Sequence, residues 1–169
     1  MALQLAERLD LDVNQDALFA AAFLHDLGTF APYRQAGVDH AVRSAEVAGE
    51  LLAQVGFPLT KRVPLVQEII RGHMFSATPG ESIEAVLFHD ADTLDFLGAA
   101  GVARILAIVG LDDWTPDLPT AVSLLQHFRQ ELPDKLITRP AQSLGLLRAE
   151  EMDTFLAALG AETSNLQVL

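Results

Sequence analysis

The sequence contains no cysteine, which excludes disulfide staples, thiolate nucleophiles, cysteine-ligated zinc and iron–sulfur clusters. Positive charge is scarce: 11 Lys and Arg stand against 23 Asp and Glu, for a formal net charge of −12. Binding a phosphate backbone requires clustered positive charge, so DNA and RNA polymers are not expected partners. An anionic membrane surface is disfavoured for the same reason. Long apolar runs are missing too. The longest, Phe96 to Leu111, is too short to span a bilayer and is interrupted by Arg104. No basic-then-apolar leader opens the chain, so the expectation is a cytoplasmic protein without a membrane partner. Alternating β-branched runs, the mark of half-buried strands, are also lacking.

What is present is a chain of 169 residues, 50% hydrophobic and only 20% charged. That balance is the reverse of a disordered chain, and the length suits one compact domain with a substantial core. Ala and Leu dominate, and the apolar spacing is helical nearly throughout. Helices are expected over about 2–9; from a cap at Asn14 or Asp16 to about Leu27, with Gly28 as the stop; and from an Asp39 cap to about Val55, ended by Gly56-Phe57-Pro58. Further helices are expected over about 60–72, from a Ser82 cap through Ile83 to about Leu97, and over about 99–109. Residues 28–38, 76–80 and 111–119 carry the Gly and Pro of loops. Two or three more helices fill 120–160, and Glu162 to Leu169 is expected to fray.

Three local patterns carry chemistry. The first is Phe23-Leu24-His25-Asp26-Leu27-Gly28, where a His–Asp pair closes an otherwise apolar helix. Burying an imidazole and a carboxylate there is costly unless something satisfies them, and a divalent metal does so through nitrogen and oxygen ligands. Taken alone, the pair also reads as a helix C-terminus whose dipole favours His. The second is His89-Asp90-Ala91-Asp92-Thr93-Leu94-Asp95. Helical spacing sets Asp92 beside Phe88 and Phe96 on an inward face, where a lone carboxylate is expensive, and turns Asp90 toward a solvated face. The third is His40 and His73 at loop–helix junctions, each of which reads singly as a surface residue. Together with His25, Asp26 and Asp92 they form a set able to hold one or two octahedral metals.

The order His-Asp, His, His, Asp on successive helices resembles the HD-domain superfamily of metal-dependent phosphohydrolases. The segment from Glu84 to Arg104, with His89-Asp90-Ala91-Asp92-Thr93-Leu94-Asp95-Phe96-Leu97-Gly98-Ala99-Ala100-Gly101 within it, resembles one bacterial HD subfamily in particular. The runs Gln126-His127-Phe128, Thr138-Arg139-Pro140-Ala141 and Glu151-Met152-Asp153-Thr154-Phe155-Leu156 also fit, so the resemblance covers nearly the whole chain. It implies an all-α fold, a single orthogonal helical bundle of about seven to nine helices, with residues 1–169 as one HD-like domain. It implies His25, Asp26 and Asp92 as catalytic metal ligands. His40 and His73 follow as ligands of a second metal or donors to a substrate phosphate. The metal would be Mn²⁺, Mg²⁺, Fe²⁺, Ni²⁺ or Co²⁺. The implied reaction is hydrolysis of a nucleotide or another small phosphorylated metabolite by metal-activated water.

Around that set, Arg43, Arg71 and Lys61 are candidates to clamp phosphate, and Glu46 and Asp95 are candidate bases. His89, one turn before Asp92, is a candidate to orient it. His127 reads as a helix-packing residue, and Trp114 as a cover for the cleft or a subunit contact. The apolar content permits a homodimer without requiring one. One departure stands out. The HD pattern opens with a further His on a helix before the dyad helix, and no His precedes His25. Residues 1–10 read like the latter half of that helix, so the expected domain lacks its His-bearing start. This motivates an alternative, a degenerate HD domain that binds a nucleotide or a protein partner without turnover. An oxygen-activating di-iron site, as in a distant HD branch, would use a similar set, and nothing local favours it.

Overall fold

The computed structural model describes residues 1–55, 62–111 and 113–164, and among them are eight α-helices and no strand. The chain divides into two compact units, Met1–Asp92 and Thr93–Leu169. None of the described helices is long and apolar enough to cross a membrane.

The first unit opens with α1 (Ala2–Arg8) and α2 (Gln15–Leu24). Asn14 caps α2: its side chain accepts from the Ala17 N–H at 3.1 Å, while its own N–H donates to Glu84 Oε1 at 2.8 Å. The helix stops at Leu24, short of the expected Leu27, and Leu27–Thr29 form a 3-10 turn instead. The reason lies in Gly28. Its N–H donates to Ser44 Oγ at 2.8 Å, and a Cβ there would sit 2.5 Å from the His40 carbonyl oxygen. The glycine is needed for a close docking of this turn, and the helix must end early for the turn to form.

The partner in that docking is α3 (His40–Gln54), capped as expected by Asp39, whose carboxylate accepts from Ala41 and Val42 N–H at 2.9 and 3.1 Å. Ala41, Ser44, Ala45, Val47, Ala48 and Leu52 form its buried stripe at helical spacing. It packs on α4 (Val63–Arg71) with Val66, Ile69 and Ile70 buried, and Gln67 Nε2 donates to the Ala45 carbonyl at 2.9 Å. Fully burying an aliphatic side chain such as Ile69 contributes about 1.5–3 kcal/mol. Pro64 sits in the first turn of α4, where its missing N–H costs no hydrogen bond. The expected stop at Gly56-Phe57-Pro58 and the start of the helix at 60 lie outside the described residues.

Helix α5 (Ile83–Leu94) follows Ser82, whose Oγ accepts from the Ala85 N–H at 3.3 Å. It ends before the expected Leu97. The N–H groups of Phe96 and Leu97 turn to the Thr93 and Leu94 carbonyls, Leu97 is extended, and Gly98 takes a φ of +69 that favours glycine.

The second unit holds α6 (Gly98–Ala107), α7 (Leu118–Glu131) and α8 (Arg139–Glu162), with a 3-10 turn at Leu132–Lys135. Pro119 and Pro140 open α7 and α8, and Asp117 caps α7 by accepting from the Thr120 N–H at 2.8 Å. All three helices pack on one another through residues such as Val102, Ile105, Leu125, Phe128 and Met152, each buried. A bidentate Arg129–Asp153 pair, at 2.7 and 2.6 Å, ties α7 to α8 at the surface.

Candidate metal centre

The five His and Asp residues expected to hold metal all belong to the first unit, and the three histidines among them face the carboxylate of Asp26. His25 and Asp26 directly follow α2, so the early end of that helix is what presents them. His25 donates its Nδ1–H to the Ala22 carbonyl at 3.1 Å. Its Nε2 therefore faces Asp26 Oδ2 at 3.2 Å and Asp92 Oδ1 at 4.0 Å. The Phe88 ring packs against the imidazole in a T-shaped arrangement, 5.5 Å away between centroids.

The other oxygen of Asp26, Oδ1, is faced by His73 Nε2 at 3.6 Å and His40 Nε2 at 3.8 Å. His40 is the first residue of α3, brought there by the docking of Gly28 on that helix. His73 lies just past α4 and donates its Nδ1–H to the Ile70 carbonyl at 2.7 Å. The His73 ring stands edge-on to both other imidazoles, 5.0 Å from His25 and 5.4 Å from His40. One ligand atom each from His25, Asp26 and His73 lie within 4.8 Å of one another. Asp92, on α5, is mostly buried and joins the group through His25.

Charge follows this geometry. Burial works against a charged His25, yet the hydrogen bond to Asp26 and the negative charges of Asp26 and Asp92 outweigh it and raise its pKa. Burial likewise opposes ionisation of Asp26, but His25 and His73 hold its carboxyl far below the usual carboxylate range. Asp26 is thus a fixed anion among imidazoles.

The donor set fits a divalent metal. His73 Nε2 is buried and makes no hydrogen bond, which leaves a polar atom at a cost of about 1–3 kcal/mol unless something binds it. In His25 and His73 alike the Nδ1–H is held by a backbone carbonyl, the outer hydrogen bond that orients metal-ligating histidines and leaves Nε2 for the ion. Imidazole nitrogen and carboxylate oxygen are both ligands that divalent metal ions accept, and the set by itself names no one ion.

The model of the HD-domain family matches residues 1–97, and so spans every one of these residues. The chain belongs to the HD-domain family. Among solved structures, it is similar to a predicted HD superfamily hydrolase from an uncultured Thermotogales bacterium, at 27% identity and a TM-score of 0.63 over 95% of this chain and 74% of that one. An HD-superfamily hydrolase from Bacillus thuringiensis gives 25% identity and a TM-score of 0.66, over 97% of this chain and 81% of that one. Bacillus subtilis YpgQ shares the fold at 24% identity, with a TM-score of 0.69 over 95% and 82%. No curated protein matches the sequence. The all-α architecture is that of an HD-domain-like helical bundle, and HD domains are generally metal-dependent hydrolases.

Other expectations fare differently. Asp90 does not face solvent; it is fully buried. From Leu87 through Ala91 every residue of α5 is buried, so the helix has no solvated face there for Asp90 to occupy. His89 does not hydrogen-bond Asp92: its Nδ1–H donates to the Gly72 carbonyl at 2.9 Å. Arg43 is engaged within its own neighbourhood, donating from Nε to the Tyr33 carbonyl at 2.9 Å and from NH1 to Glu46 at 3.0 Å. That pair occupies a candidate clamp and a candidate base at once. Asp95 is paired with Arg104 at 3.4 Å, Arg71 is exposed at the end of α4, and His127 is exposed on α7. Trp114 is partly exposed, and Lys61 lies outside the described residues. Two residues of consequence escaped the sequence reading, Ser44 and Gly72. Ser44 had one available signal, a small hydroxyl residue one turn after His40 on the same helix face.

Proposed function

We propose that this HD domain is a metal-dependent phosphohydrolase acting on a nucleotide or another small phosphorylated metabolite. The observation that carries the reading is the buried His73 Nε2, without a hydrogen bond and directed at the Asp26 carboxylate that His25 and His40 also face. His25, Asp26 and Asp92 are the proposed first metal ligands, with His40 and His73 holding a second ion or a substrate phosphate. Bound there, a divalent ion lowers the pKa of water and neutralises charge on phosphoryl oxygens.

The chain's own groups do the rest. Asp26 stays ionised and keeps the imidazoles gathered. With its Nδ1–H held on the Ala22 carbonyl, His25 would offer a deprotonated Nε2 as a ligand, the proton passing to solvent. His40 is the most exposed of the three imidazoles and can donate from Nε2 to a phosphate oxygen. Arg71, at the end of α4 and exposed, is the proposed electrostatic guide for an anionic substrate approaching a protein of net charge −12. A structure of Bacillus subtilis YpgQ was solved in complex with ADP. At 23% identity that likeness carries the fold alone, and it makes ADP a rational first probe.

The test is metal content by mass spectrometry after incubation with Mn²⁺, for the parent and for Asp92→Ala, followed by phosphate release from nucleoside mono-, di- and triphosphates. Bound metal that the variant loses, with phosphate release by the parent alone, supports the proposal. A folded parent that binds no metal overturns it. Metal and nucleotide binding without release identifies a non-catalytic HD domain.

A further inference from the structure

His89 is a buried titratable group, 2% exposed, that the proposed chemistry does not use. Its Nδ1–H donates to the Gly72 carbonyl at 2.9 Å. Gly72 caps α4 and immediately precedes His73. The last carbonyls of a helix have no partner within it, and Gly72 is buried, so its carbonyl depends on a donor from elsewhere. On another side, Gly72 is packed against the loop at 78–80: a Cβ there would lie 2.7 Å from Pro79 Cα and 3.1 Å from the Thr78 carbonyl oxygen. The Gly72–His73 peptide is therefore held both by a hydrogen bond from α5 and by backbone packing. That peptide sets the direction in which the His73 side chain leaves the main chain. His73 in turn has its ring pinned through Nδ1 to Ile70, with Nε2 toward Asp26.

We propose that His89 is a positioning residue for the metal centre, acting through the Gly72 carbonyl to aim His73 Nε2 at Asp26. The inference rests on the metal-centre reading for its consequence and on the hydrogen bond for its mechanism, and the two are tested apart. His89→Asn places an amide N–H near the position of Nδ1 and keeps the donor. His89→Leu fills similar volume and removes it. Mn²⁺ affinity should fall up to about tenfold in His89→Leu, no more than the lower end of the range for losing a direct hydrogen-bond partner of a ligand, and stay close to the parent in His89→Asn. The second readout needs no metal. In ¹H–¹⁵N spectra of the imidazoles, the protected Nδ1–H of His73 should shift and exchange faster in His89→Leu and be retained in His89→Asn.

Parent-like affinity together with an unmoved His73 signal in a folded His89→Leu overturns the proposal. So does a folded His89→Asn as impaired as His89→Leu, because packing alone would then explain both. If the parent binds no Mn²⁺, the metal reading fails and the positioning role is decided by the His73 signal. If His89→Leu does not fold, the parent decides: a slowly exchanging His89 Nδ1–H supports the proposal, and a ring protonated only at Nε2 overturns it.

Discussion

His73 Nε2 stands 3.6 Å from Asp26 Oδ1, beyond ordinary hydrogen-bond distance, although the nitrogen is buried and has its other ring N–H already committed. Two complementary groups held slightly apart are arranged for a third between them. Asp26→Asn keeps the shape and removes the charge. We expect it to lower Mn²⁺ affinity by at least about 100-fold, the upper end of what loss of an outer-shell partner gives. Titration of the folded variant with Mn²⁺, followed by electron paramagnetic resonance, checks this.

Proton and metal compete for His25. Against the opposing pull of burial, the hydrogen bond to Asp26 and the charges of Asp26 and Asp92 raise its pKa, so the metal-free protein keeps this proton to higher pH than a free imidazole does. Mn²⁺ affinity should therefore rise as pH rises through the raised His25 value, with protons released on binding. For the chelator-treated protein the stability signs oppose each other. The His25 contribution is complete below its unfolded pKa of 6.5 and is lost as pH rises through the raised folded value. The Asp26 contribution is present above its unfolded pKa of 3.8 and is lost as pH falls toward its much lower folded value. Thermal unfolding against pH, with and without Mn²⁺, should show the metal's stabilisation growing toward alkaline pH.

The Gly28 docking predicts a stability effect. Gly28→Ala drives a Cβ to within 2.5 Å of the His40 carbonyl oxygen and 2.9 Å of Ser44 N, backbone atoms that do not yield easily. Overpacking of this kind costs about 1–3 kcal/mol. Ser44→Ala leaves the Gly28 N–H without its acceptor, a loss of about 1–3 kcal/mol for a buried donor. Urea unfolding of both variants measures these losses, and both should weaken Mn²⁺ binding by displacing Asp26 relative to His40.

The two arginines should separate by their effects. Arg43 is engaged with the Tyr33 carbonyl and Glu46, so Arg43→Ala should lower the melting temperature more than it changes substrate binding. Arg71→Ala should leave stability near the parent's and raise KM several-fold at low ionic strength, an effect that salt should diminish if Arg71 guides the substrate by its charge. Steady-state kinetics on the preferred nucleotide, with melting curves alongside, distinguishes them.

Caps and metal-type residues were legible in the sequence because each is a local signal. Asn14, Asp39 and Ser82 accept from the first-turn N–H groups of their helices, and the grouping of His25, Asp26, His40 and His73 follows a pattern of residue order. Three things were not legible, and each depends on contacts distant in the chain. The end of α2 at Leu24 is set by α3, sixteen residues beyond Gly28 at Ser44. The burial of Asp90 comes with a run of five buried residues, Leu87 to Ala91, more than one face of the helix, which helical periodicity does not report. The donor of His89 goes to a carbonyl 17 residues earlier, and a backbone carbonyl leaves no trace in residue type.

The close seating of Gly28 on α3 has a mechanical consequence. His25, Asp26 and His40 belong to a single stiff piece, since the turn after the dyad cannot move without carrying the start of α3. His73 belongs to another piece, fixed by Ile70 and, across Gly72, by His89. The gap between the two pieces is the dimension along which the proposed ligand set would adjust. On the proposed metal reading, the radius of the ion accepted would be governed at the C-terminal end of α4, and substitutions there would retune metal preference without changing any proposed ligand.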